Sequence, residues 1–149
     1  MRAAVPLLAL ALGACATVRP EPPDDASRWT LQASATAGAA LVHADAEGRE
    51  VLRIACRRNP EDLFVATPWL RGGAGVPQLS VGEAVFPLNP IDGGPGLTAT
   101  APWPSGLPAA LMAGGAVTIR QGRRTDGPHG APDAKTAAAF AIACRGPVG

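Results

Sequence analysis

The 149-residue chain contains no tyrosine, only two histidines and a single lysine. Aromatic residues make up 4% of it and charged residues 17%. With His43 and His129 as the only imidazoles, few side chains can exchange protons near neutral pH, which leaves little material for acid–base catalysis. The nucleophile elbow G-x-S-x-G is missing, as are a phosphate-loop lysine and the zinc-protease pattern H-E-x-x-H. Ser27, Ser34, Ser80 and Ser105 stand without flanking elbow residues. A zinc set of Cys56, Cys144, His43 and His129 lacks both C-x-x-C and H-x₃-H spacing, so neither a metal nor a cofactor is expected. The formal net charge is only +1, which gives no electrostatic pull toward nucleic acid. No apolar run reaches the roughly 20 residues that a membrane-spanning helix needs.

Glycine (18) and proline (16) are plentiful, and 47% of residues are hydrophobic, much of that alanine. Large apolar residues suffice for one thin-cored domain and fall short of a large enzyme with a deep cleft. Twelve of the 13 basic residues are arginine, a bias shared with GC-rich coding.

The N-terminus is organised as an address. Met1-Arg2 is a short positive region, and Ala3–Leu12 is a ten-residue apolar stretch of signal-peptide length. Leu12-Gly13-Ala14-Cys15 follows: a leucine, two small residues that enter a peptidase groove, and a thiol able to accept a diacylglyceryl group. This box resembles that of bacterial lipoproteins. The resemblance implies cleavage after residue 14, lipidation of Cys15 and acylation of its new amino group. Multiple acyl chains, at about 0.8 kcal/mol per buried CH₂, anchor stably where one does not. An ordinary secretory signal with a chance cysteine is the alternative. Ala16 directly after the cysteine, in the same resemblance, implies the outer membrane of a Gram-negative cell, facing the periplasm. Residues 16–28 hold three prolines and three acids and read as a tether, reaching roughly 40 Å if extended. The expected organisation is therefore a signal peptide over 1–14, the lipidated cysteine and tether over 15–28, and one β-rich domain over 29–146.

From Trp29 the apolar residues alternate with period two. Strands are expected over 29–35, 39–44, 51–58, 62–69, 97–101, 116–121 and 136–144, with a hairpin over 78–88 turning at Gly82-Glu83. The stretches 89–96 and 122–133 read as loops. One short helix is expected near 107–113, entered at Pro108 and stopped by Gly114-Gly115. The sum is an all-β fold, a small antiparallel sandwich or barrel. The alanine-rich segment 136–144 is the ambiguous one, because alanine is also the best helix former.

Once Cys15 is lipidated, Cys56 and Cys144 remain, and an exported chain meets an oxidising compartment. Parity places Cys56 with Leu52 and Ile54, and Cys144 with Phe140 and Ile142, each on the apolar face of its strand. A Cys56–Cys144 disulfide is expected, closing 88 positions and worth roughly 4–5 kcal/mol in the chain-entropy account. The two carrier strands would be adjacent in one sheet or opposed across the sandwich.

The remaining features are surface ones. Arg53, Arg57 and Arg58, with Arg120, Arg123 and Arg124, form two basic groups that merge into one patch if their strands are neighbours. Such a patch suits phosphates, carboxylates or an acidic partner. Trp69 and Trp103 flank prolines at strand ends, as core residues or as aromatic contacts. The early Trp29 strand, Leu52-x-Ile54-x-Cys56 and the terminal Phe140-x-Ile142-x-Cys144 together resemble small periplasmic β-sandwich lipoproteins of proteobacteria. That resemblance implies an envelope-anchored, non-enzymatic interaction or accessory module, its partners the membrane and an envelope protein or acidic glycan. Two alternatives stand beside it: an envelope enzyme acting on cell-wall material, or a barrel binding a small apolar ligand. Convergence of His43, His129 and an acid in one place would favour the enzyme.

Overall fold

The computed structural model describes residues 28–34, 38–57, 62–70 and 74–145. The signal, Cys15, residues 16–27 of the tether and Arg58 lie outside these residues. Ten strands form two antiparallel sheets. In chain order the elements are β1 (Trp29–Ser34), β2 (Gly38–Ala44), β3 (Glu50–Cys56), β4 (Asp62–Thr67), β5 (Gln78–Val81), β6 (Ala84–Pro87), β7 (Asn89–Ile91), β8 (Leu97–Pro102), α1 (Leu107–Met112), β9 (Val117–Gln121), β10 (Arg124–His129) and α2 (Ala134–Arg145). The larger sheet runs β1-β2-β3-β4-β8-β7 and the smaller β10-β9-β5-β6. Neither sheet closes on itself, so the arrangement is an open sandwich and the barrel option is set aside.

Period-two alternation builds the larger sheet. Leu41, Leu52, Ile54, Leu63, Val65 and Ala99 point inward and have no exposed surface. They join Leu79, Val81, Val117 and Ile119 of the smaller sheet, and Leu107, Leu111 and Phe140 of the helices, in one core. At about 25 cal/mol per Å² of apolar area, burial of each large side chain is worth about 1.5–3 kcal/mol. The turns follow their glycines. Gly82 and Gly122, with φ of +59° and +60°, occupy the first central position of two-residue hairpins, where a glycine is favoured. Helix α1 has proline in its first turn and ends at Gly114 (φ +81°), as expected.

Four expectations are corrected. The segment 136–144 is not a strand: α2 spans Ala134–Arg145 and packs on β1, β2 and α1. Ala137, Phe140, Ala141 and Cys144 are its buried residues, an i, i+3, i+4, i+7 set of helical period. Ile142, inward by strand parity, is 71% exposed. Asp133 starts the helix: its carboxylate accepts from the Thr136 backbone N–H at 2.9 Å and from the Thr136 hydroxyl at 2.7 Å. These hydrogen bonds hold the Asp133 carboxyl below its ordinary pKa. The fold is thus β-rich with two helices, not one. The presumed loop 122–133 contains β10, paired with β9 through the Gln121–Arg124 turn. The loop 89–96 opens with β7, three residues paired with β8.

Candidate functional site

Cys56 ends β3, and Cys144 sits in the last turn of α2. They form a disulfide with Cα atoms 5.7 Å apart. The bridge ties a helix to the sheet, which corrects the expectation of two strands. It survives the change of element because residue 144 faces inward in both periodicities. Joined to each other, the two sulfurs are not thiolate ligands for zinc. Gly38 packs at this corner. Its φ is +99°, and a Cβ there would collide with the Cys56 carbonyl oxygen, so only glycine lets β2 start so close to the end of β3.

His43, His129 and an acid do converge. Asp126 Oδ1 lies 2.9 Å from His129 Nε2, and Asp126 Oδ2 accepts from the Thr67 hydroxyl at 2.6 Å. The His43 and His129 rings are 4.8 Å apart, and Trp29 stacks on His43 at 4.7 Å. The Trp29 indole N–H donates to the Gly130 carbonyl at 2.6 Å. The cluster spans both sheets, with Trp29, His43 and Thr67 from the larger one and Asp126 and His129 from β10. His43 is 2% exposed and Asp126 8%. Burial raises the Asp126 pKa, but the hydrogen bonds from His129 and Thr67 and the charges of His129 and His43 outweigh it and hold the carboxyl below its ordinary value. Asp126 spends both oxygens inside the protein, and Trp29 packs against the His43 ring, which in turn lies against His129. The group is built as an inter-sheet clamp. Sequence reading singled out the two histidines and missed Asp126 and Thr67. The D-x-x-H spacing was the only local signal, and Thr67 is 59 positions away.

The arginines do not form one patch. Arg53 and Arg57 stand on the outer face of the larger sheet, whereas Arg120, Arg123 and Arg124 belong to the β9–β10 hairpin of the smaller one. Arg53 is held by both oxygens of Glu50 at 2.7 Å and donates to the Gln32 side-chain oxygen at 3.3 Å. Arg57 differs. Its guanidinium carbon lies 5.2 Å above the Phe64 ring, and no carboxylate of the described residues lies within ion-pair distance of it. Trp103 is partly buried against Phe140, whereas Trp69 is 58% exposed and stands outside the core.

Between these arginines the sheet forms a trough of about 370 Å³. Its shape follows from register. Gln32, Ala40, Ala55 and Phe64 are successive cross-strand partners on β1, β2, β3 and β4. The row reads tall, small, small, tall. With strands about 4.8 Å apart, Gln32 and Phe64 stand roughly 14 Å apart over a floor of two methyl groups. Arg53 lines one end, and Arg57, two residues past Ala55, lines the other. Among the described residues, no group of three or more His, Cys, Asp or Glu is arranged to hold a metal, and no helix is long and apolar enough to cross a membrane.

No family model, curated protein or solved structure matches this chain.

Proposed function

We propose that the chain is an envelope-anchored lipoprotein acting as a non-enzymatic interaction module, held to the outer membrane through Cys15 and facing the periplasm. The observation that carries this reading is the Leu12-Gly13-Ala14-Cys15 box placed directly after a ten-residue apolar stretch and before a proline-rich tether. The Cys56–Cys144 disulfide supports it, because such bridges persist in oxidising compartments and are rare in reducing ones. Lipid at residue 15 and a tether of about 40 Å would leave the domain free to meet partners above the membrane.

The convergence of His43, His129, Asp126 and Thr67 favours the second reading, an enzyme acting on cell-wall material. A catalytic base must reach substrate directly or through one water. The burial of His43 beneath Trp29 and the double engagement of Asp126 weigh toward a structural role.

The test is Cys15→Ser expressed in a Gram-negative host with labelled fatty acid. The native chain is expected to incorporate label and partition with outer membranes, and the variant to remain an unlabelled precursor. Equal labelling of both would overturn the anchor.

A further inference from the structure

We propose that the trough over β2 and β3 binds the carboxylate end of a short peptide with small apolar side chains, and that Arg57 is the residue that takes the carboxylate. The proposal rests on the reading of the chain as a binding module and names its ligand.

The cation comes first. Arg57 lies over the face of Phe64, a cation–π contact that favours this placement of the guanidinium before any ligand arrives. Asp62, its neighbour on β4, accepts the Arg57 backbone N–H through its carbonyl at 3.1 Å, while its carboxylate makes no ion pair with the guanidinium. A guanidinium seated on a ring face, with no carboxylate partner among the described residues, presents a pair of parallel N–H donors suited to a bidentate carboxylate. Arg53, at the opposite end, is already neutralised by Glu50, so of the two arginines lining the trough Arg57 is the one with no carboxylate partner among the described residues.

The floor then selects what is attached to the carboxylate. Ala40 and Ala55 offer methyl groups, and the polar side chains among the described lining residues are Gln32 and Ser34 on β1 and the two arginines at the ends. A sugar acid would place several hydroxyl groups over methyls that cannot hydrogen-bond them, which costs binding energy. A peptide end with a small side chain buries apolar carbon there and keeps its backbone amide near the rim.

The test is nuclear magnetic resonance of the exported chain as the cell makes it, kept in detergent micelles, titrated with N-acetyl-alanyl-alanine. Its C-terminal amide and glucuronate are the comparison ligands. The expected result is saturable shifts of the Ala40 and Ala55 methyl signals and of the Arg57 side chain, with millimolar affinity. The amide should bind roughly tenfold more weakly or worse, because the charge-assisted pair is gone. Arg57→Gln, at an exposed position, should show the same loss for the acid. Ala55→Leu, which fills the floor, should abolish the shifts while the core signals of Leu41 and Ile54 stay in place. Equal binding of acid and amide, tighter binding of glucuronate, or no saturable shift would each overturn the proposal. Failure of this titration would leave lipid labelling at Cys15 intact, and loss of the label would leave the titration intact, so the two readings fail separately.

Discussion

Asp126 shows how one residue can join two sheets. Its carboxylate receives the Thr67 hydroxyl from one sheet and faces the His129 imidazole of its own strand, and Trp29 and His43 close over the group. Because the folded-state pKa of Asp126 is depressed, its ionised form stabilises the fold above the unfolded carboxylate value near 3.9. That contribution is lost as pH falls through the lower, folded value. Asp126→Asn leaves a buried partner unsatisfied and should cost about 1–3 kcal/mol near neutral pH. It should also shrink the difference in melting temperature between pH 6 and pH 3. Thermal melts of both proteins at the two pH values check this, and a variant with an unchanged pH difference would contradict the clamp.

At the scale of elements, legibility depended on whether one period alone fitted the residues. Leu52, Ile54 and Cys56 alternate with Arg53, Ala55 and Arg57, a pattern that only a half-buried strand satisfies, and β3 forms there. Residues 136–144 satisfy either period, because alanine tolerates both faces of a helix or a sheet. The distinction lay in Asp133 as an N-cap three residues before Thr136, and in which of Phe140 and Ile142 is buried. Strand β10 was hidden because Gly127 and Pro128 sit inside it as apparent breakers, although Gly122 carried the same hairpin signal as Gly82. Arg57 was visible in the sequence as a surface contact. The trough was not, because its floor exists only through the register that sets Ala40 opposite Ala55. The helix phase gives a sharp contrast between two neighbours. Phe140→Ala should cost about 3–5 kcal/mol, whereas Ile142→Ser, on the exposed side, should stay within about 0.5 kcal/mol. Denaturant titrations of the two variants measure both. Similar losses at the two positions would mean strand parity instead.

In the whole molecule, the proposed N-terminal address precedes a domain clamped by a disulfide. The domain has a core built mainly of leucine and other aliphatic side chains, and it secures its last helix to the sheet by the Cys56–Cys144 bridge as well as by packing. Such a bridge persists in an oxidising compartment, and the proposed lipobox would supply a route to one. Intact-mass spectrometry of the chain recovered from membranes reads both ends together. The expected species begins at Cys15, carries a diacylglyceryl group and an amide-linked acyl chain, and is two hydrogens lighter than the fully reduced chain because residues 56 and 144 are joined. A species that retains residues 1–14, or one cleaved elsewhere without lipid and with two free thiols, would contradict it.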